Sequence, residues 1–253
     1  MDLGLKGLKA LVTGGTKGIG RAIAETLAAE GCDVAICARN AEDVAATVAA
    51  LAATGVKATG AAVDVSDGPA LKAWVAEAAA ALGGLDIIVA NVSALAISND
   101  EEGWAKGFST DMMGTVRLVD AAMPSLLASK AGAIVTISSV SGREIDFAAG
   151  PYGVFKAAIV HYTQGLANQL AAQGVRANTV SPGNTYFEGG VWNQIKDGNP
   201  ALYKMALDLN PTGRMGTPQE MANAAVFLAS PAASFISGAN LIVDGALTRG
   251  VQL

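Results

Sequence analysis

An α/β fold, with an open, doubly wound, seven-stranded parallel sheet and helices on both faces, is predicted by three features of this sequence. Short β-rich runs alternate along the chain with Ala-rich segments at helical period. Apolar residues make up 51% of the 253 residues but aromatics only 5%, so the hydrophobicity rests on Ala, Val, Leu and Ile, as in strands covered by helices. No linker or composition shift divides the chain, and residues 1–253 are expected to form a single domain.

The first strand is LKALVT (8–13), followed by a helix over 20–30 and a second strand, DVAICAR (33–39), which together make a βαβ unit. A helix near 41–54, a strand near 58–65, a helix near 67–82 and the strand LDIIVANV (85–92) continue the pattern. Further strands follow at GAIVTISS (132–139), VRANTV (175–180) and NLIVDG (240–245), with long helices near 102–128 and 151–173. Parallel neighbours need right-handed helical crossovers, which this alternation supplies. Residues 184–216 break it, carrying much of the Gly, Pro and aromatic content, and read as a lid or binding loop.

Seventeen Lys and Arg stand against 22 Asp and Glu, a net charge of -5 with no block of like sign, so no nucleic-acid partner is expected. The N-terminus lacks the basic start, apolar run and small-residue site of a secretory signal, and a cytoplasmic location is expected. The uncharged run 221–243 is long enough to span a bilayer but is interrupted by Asn223, Ser230, Pro231, Ser234, Ser237, Gly238 and Asn240. It reads as a helix, a turn and a buried strand, with no membrane partner. Cys32 and Cys37, an odd number of positions apart, would face opposite sides of one strand and cannot bridge. A single His makes a Cys/His metal site implausible.

The first strand runs into TGGTKGIG, where Thr13, Gly14, Thr16, Lys17, Gly18, Ile19 and Gly20 precede an amphipathic helix. Glycines there let backbone N–H groups and the helix N-terminus approach a pyrophosphate, and the position within a βαβ unit favours this over a plain tight turn. An acidic residue at the end of the second strand would bind both adenosine ribose hydroxyls; here Ala38 is neutral and Arg39 follows. With Lys17 as a second cation for a 2′-phosphate, NADP(H) is expected over NAD(H).

Tyr152 and Lys156, four apart in YGVFK, share one face of a helix. An adjacent ammonium stabilises a phenolate, whose free acid has a pKa near ~10, and so makes the Tyr a usable proton donor or acceptor. Ser139 ends a strand thirteen positions earlier, at the edge where open parallel sheets bind ligands. Its rival is Ser138, since adjacent strand residues point oppositely.

Glycine loop, strand-end Ser and Tyr/Lys helix together resemble the short-chain dehydrogenase/reductase family, of the classical single-domain Rossmann type. The resemblance extends over essentially the whole chain. It implies Tyr152 as general acid/base, Lys156 as its tuning partner and a ligand of the nicotinamide ribose, and Ser139 as the group that polarises the substrate carbonyl. Asp64 in VDVSD, with Val65 beside it, looks like the adenine-contacting residue, and Asn91 like the structural Asn of the family's NNAG segment. Pro182, Gly183 and Thr185 are similar to the loop beside the nicotinamide. The stretches GRMGTPQEMANAAVFLAS and ISGANLIVDG resemble the family's C-terminal helix and last strand.

The implied activity is NADPH-dependent reduction of a small or hydrophobic ketone to a secondary alcohol, reversible as an alcohol dehydrogenase. The alternatives are a 3-oxoacyl thioester reductase, with Lys130 and Arg176 as docking cations for an acidic carrier, and a non-catalytic NADP-binding sensor or scaffold. A homotetramer or homodimer through the long helices is also implied.

The chain departs from the family pattern at three places. Asp111 stands where many members have an Asn whose backbone helps hold a water; it is tolerable if only the carbonyl matters, but partly neutralises Lys156 if the carboxylate reaches it, shifting the pH profile. Ser93 replaces the Gly of NNAG, adding a hydroxyl near the cofactor. VDGG reads VDGA. His161 lies on another helix face, toward solvent or packing. The aromatics Tyr186, Phe187 and Trp192 either touch substrate or pack against the body.

Overall fold

The structure, a computed structural model, describes residues 1–251, so the last two residues of the expected 1–253 unit lie outside the described residues. Its elements run β1 (Lys9–Thr13), α1 (Gly18–Ala29), β2 (Asp33–Ala38), α2 (Ala41–Ala52), β3 (Ala58–Ala62), α3 (Gly68–Leu82), β4 (Ile87–Ala90) and α4 (Glu101–Lys106). There follow α5 (Met113–Ala128), β5 (Ala133–Ile137), α6 (Pro151–Leu170), β6 (Arg176–Pro182), α7 (Val191–Gly198), α8 (Pro200–Leu209), α9 (Pro218–Ala229) and β7 (Asn240–Val243). All seven strands form one parallel sheet in the order β3-β2-β1-β4-β5-β6-β7. This is a single-domain α/β Rossmann fold, and its strand order reverses between β1 and β4, where such sheets open a crevice at their carboxyl edge.

Apolar side chains bury both faces of the sheet. On one, Ile23 and Leu27 of α1, Val44 and Leu51 of α2, and Ala222 and Val226 of α9 pack on Val12, Ile36 and Val135. On the other, Leu71 and Trp74 of α3, Leu118 and Leu126 of α5, and Leu166 and Leu170 of α6 cover Leu11, Ile88 and Ile134. Each fully buried Leu or Ile removes enough apolar surface from water to contribute roughly 1.5–3 kcal/mol.

The helix ends follow local chemistry. The Asn40 and Asp67 side chains accept N–H groups in the first turns of α2 and α3, and Thr217 and Glu220 make a reciprocal capping box at α9. The chain over 221–243 divides into α9, a short turn and β7, as its polar interruptions predict, and no helix of the described residues is long and apolar enough to cross a membrane.

Two boundaries differ from the sequence expectation. First, the helix expected near 102–128 is divided: between α4 and α5, residues Gly107–Met112 form a π turn. Apolar periodicity does not show the extra residue that a π turn accommodates. Second, the expected 184–216 excursion contains two helices, α7 and α8, which fold over a small cluster of Trp192, Ala206 and Met215. Cys32 and Cys37 are buried free thiols, and burial above all pushes each up to about 12.

Candidate active site

The turn from β1 into α1 brings backbone close to backbone. Gly18 has φ +54°, a conformation that costs a side chain strain, and a Cβ on Gly20 would overlap the Gly14 carbonyl. Asn91, just past β4, locks this turn from below: its backbone N–H donates to Thr13 Oγ1 (3.1 Å) and its side-chain amide to the Thr13 carbonyl (3.0 Å). Thr13 is therefore a buried brace, its hydroxyl also donating to the Val89 carbonyl (3.3 Å), and it does not line the large groove.

That groove, about 720 Å³, is lined by Gly14, Thr16, Lys17, Ala38, Arg39, Asp64, Val65, Asn91 and Ser93. A glycine turn that a side chain would fill, opening on a groove of this size with two cations at its mouth, suits a dinucleotide phosphate. The Asp64 carboxyl sits below its ordinary range, because the Ser66 backbone N–H and hydroxyl donate to it, with a smaller attraction from Arg39. Lys17 is paired with Asp43, in the first turn of α2, at 2.9 Å, and Asp43 lines the same groove.

The second cavity, about 280 Å³, shares Lys17, Asn91 and Ser93 with the first and extends over the carboxyl ends of β4, β5 and β6. Ser139, Tyr152 and Lys156 line it together with Ile19, Gly20, Pro182, Gly183 and Thr185. Tyr152 and Lys156 lie one turn apart on α6, with Lys156 Nζ 5.6 Å from the Tyr152 ring centroid. Both serines touch the cavity, but their hydroxyls divide: Ser138 donates to the Lys156 carbonyl (2.8 Å), whereas Ser139 accepts the Ser141 N–H (3.2 Å).

Asp111 lines neither cavity. The π turn aims it inward beneath Lys156, with 3.2 Å between Asp111 Oδ1 and Lys156 Nζ and both side chains 2% exposed. Its other oxygen accepts the Ala94 N–H (2.8 Å), and Lys156 Nζ donates to the Ile137 carbonyl (3.1 Å). Oδ1 has no aligned hydrogen bond, so its contact with the ammonium is electrostatic. Of the two sequence possibilities for Asp111, the carboxylate does reach Lys156.

Ser93, the other departure, accepts the Leu95 N–H (3.0 Å) in a turn where Leu95 itself takes φ +49°, and it forms part of both cavity walls. Phe187 lies directly on the glycine turn, since a Cβ on Gly18 would come within 2.6 Å of its ring. Trp192 is buried in the lid cluster and meets Phe147 edge-on at 5.8 Å, so it packs and lines the cavity at once. His161 is exposed.

One expectation fails: Arg176 is not free to dock a partner. Its guanidinium donates to the carbonyls of Leu228, Ala229, Ser230 and Ile236, closing the end of α9. A cation with four carbonyl acceptors is structural. Asp43, Ser141 and Asp146 are polar groups at the site that sequence reasoning missed. Asp43 had a visible signal, an acid in the first turn of the helix that follows Arg39.

The chain is similar to known oxidoreductases over nearly its whole length. The family described as enoyl-(acyl carrier protein) reductase matches residues 14–248. The isoepoxydon dehydrogenase of Penicillium expansum is 40% identical over 259 residues, spanning 100% of this chain and 99% of that protein. The L-sorbose reductase of Gluconobacter frateurii, solved with NADPH and L-sorbose, superposes with a TM-score of 0.91 at 29% identity, over 99% of this chain and 100% of that one. A 7α-hydroxysteroid dehydrogenase solved with NADH superposes with a TM-score of 0.90 at 29% identity, over 97% and 96%.

Proposed function

Because this chain belongs to the short-chain dehydrogenase/reductase family of NAD(P)-dependent oxidoreductases, we propose that it interconverts a small or hydrophobic ketone and its secondary alcohol, with NADP(H) as the preferred cofactor. The observation that carries this reading is the convergence of Tyr152, Lys156 and Ser139 on one cavity wall, with the ammonium 5.6 Å from the phenol ring.

A bound reduced nicotinamide supplies the hydride. Tyr152 gives its phenolic proton to the carbonyl oxygen as that oxygen gains charge, and takes it back in the reverse direction. Ser139 donates a hydrogen bond to the same oxygen, and Lys156 holds positive charge beside Tyr152 and binds the nicotinamide ribose. Asp111 and the Ile137 carbonyl fix the ammonium in place. Cofactor contacts are assigned to Gly14, Thr16, Lys17, Gly18, Ile19, Gly20, Arg39, Asp64, Val65, Asn91, Pro182, Gly183 and Thr185. Thr13 supports them from behind.

Support for the ketone comes from the walls. Leu95, Ile97, Phe147, Val191, Trp192 and Ile195 surround the polar wall, a lining suited to a compact carbon skeleton, and α7 supplies the last three of them. A thioester on an acidic carrier is less well supported, because Arg176 is committed to carbonyls. An exposed apolar patch of Trp104, Phe108 and Val154, stacked around Phe155, supports association of copies through α4 to α6.

Replacing Tyr152 with Phe tests the reading. Turnover across a ketone panel falls by about 10²–10⁴ while NADPH still binds, because only the proton donor is lost. Undiminished turnover in Tyr152→Phe would move the acid/base role to another group.

A further inference from the structure

In the β5–α6 loop a short chain of polar groups runs from Ser139 to Ser141 and Asp146, two side chains that the proposed chemistry does not use. Ser139 Oγ donates to Ser141 Oγ (3.3 Å), Ser141 Oγ donates to Asp146 Oδ2 (2.6 Å), and Asp146 Oδ1 accepts the Ala148 N–H (2.8 Å). Direction is set at the far end. A carboxylate can only accept, so the Ser141 proton is committed to Asp146 and Ser141 meets the cavity as an acceptor. Ser141 lines the cavity wall beside Ser139 and Tyr152.

When a carbonyl oxygen arrives, Ser139 must turn its proton toward it and away from Ser141. Ser141 Oγ then has an empty lone pair facing the ligand, with its own proton still held by Asp146. Only a donor fills that position. An ether, ester, thioester or carboxylate oxygen presents no proton, while a ligand hydroxyl does. The two serine oxygens lie 3.3 Å apart, and oxygens on adjacent carbons are separated by a similar span, about one hydrogen-bond length.

Resting on the oxidoreductase reading above, we propose that the substrate is a 2-hydroxyketone, reduced to a vicinal diol and oxidised in reverse. Its carbonyl oxygen takes hydrogen bonds from Ser139 and Tyr152, and its neighbouring hydroxyl donates to Ser141. Asp146 is a positioning residue, acting through the orientation of the Ser141 proton. The balance is that of a simple ketone: one hydride from the reduced cofactor goes to the carbonyl carbon, one proton from Tyr152 goes to its oxygen, and the second hydroxyl is unchanged.

The test compares kcat/KM for 2-hydroxycyclohexanone, cyclohexanone and 2-methoxycyclohexanone with NADPH. The methoxy compound matches the hydroxyketone in its oxygen but lacks the proton. The expected order puts the hydroxyketone about ten- to a hundredfold above both others, the effect of leaving one buried acceptor unpaired. In Ser141→Ala this ratio collapses toward one. In Asp146→Asn the amide can donate to Ser141 and release its proton to the ligand, so the methoxy compound gains on the hydroxyketone, an inversion that a merely structural role for Asp146 would not produce.

The wild-type ratio needs no variant to fold, and thermal melting with NADPH binding checks the two variants. Equal kcat/KM for the three ketones, or a hydroxyketone preference that survives in Ser141→Ala, overturns this inference and leaves the oxidoreductase reading standing. No turnover of any ketone by protein that binds NADPH overturns the inference and the ketone reading together.

Discussion

Two Lys–Asp pairs stand near the two cavities, one on the wall of the larger and one beneath the wall of the smaller, and they differ in almost everything but composition. Lys17 and Asp43 meet at 2.9 Å beside the glycine turn with side chains 72% and 36% exposed, whereas Lys156 and Asp111 meet at 3.2 Å with both 2% exposed. The outer pair lies in water, where such contacts are weak, screened and readily exchanged. It can give up its lysine to a phosphate. The inner pair has no water to replace either partner, so losing one leaves a buried charge. One pair is exposed and exchangeable, and the other is a fixture.

Breaking the inner pair should have the largest effect. Asp111→Ala leaves the Lys156 ammonium with the Ile137 carbonyl as its remaining partner, and is expected to lower stability by ~3–5 kcal/mol in chemical denaturation. A loss below about 1 kcal/mol would mean that water reaches Lys156 and that the two pairs are alike after all.

The contrast sharpens in a double variant. Asp111→Leu with Lys156→Met replaces the ion pair by apolar groups, a change that is often neutral for a buried pair, so most of the lost stability returns while turnover does not. Stability that stays low would point to the Ala94 N–H and the Ile137 carbonyl, left without partners, as the larger cost.

At the outer pair the effect is on affinity. Asp43→Asn releases Lys17 and is expected to tighten NADPH binding by about two- to tenfold, with NADH little changed and the gain shrinking as salt rises. Nicotinamide fluorescence titration reads this directly. Equal tightening of both cofactors would assign Lys17 to the shared pyrophosphate instead of the 2′-phosphate.

The smallest effect belongs to another exposed pair, Arg214 and Glu220, at the start of α9. Glu220 is held down at about 2, first by the Arg214 guanidinium and then by the Thr217 N–H. A depressed carboxyl contributes stability that is present above its unfolded value of 4.5 and is lost as pH falls toward about 2. Glu220→Gln should therefore flatten a slight acid-side decline in melting temperature over that window, by lowering the melting temperature slightly above it and leaving it unchanged at the acid end.

Much of this molecule is legible along the chain. The seven strands, the glycine turn and the YGVFK helix were readable because each depends on neighbours within a few residues: a period of two or 3.6, or a backbone that cannot carry a side chain. Thr13 belongs to the turn pattern, but the partners of its hydroxyl, the Val89 carbonyl and the Asn91 N–H, lie 76 and 78 residues away. Arg176 misled because its four acceptors lie 52 to 60 residues further on.

The sequence by itself determined the fold class and the family, since local patterning and a resemblance over the whole chain specify them, and it marked the glycine turn and the Tyr152, Lys156 and Ser139 set as candidates. Tertiary structure alone decided which lysine is buried and which is free to exchange, that the π turn carries Asp111 beneath Lys156, and that Ser141 is an acceptor. The physical reason is burial. A charge or hydroxyl acquires its strength and direction from the partners and dielectric around it, and these are brought together by strands and helices distant in sequence.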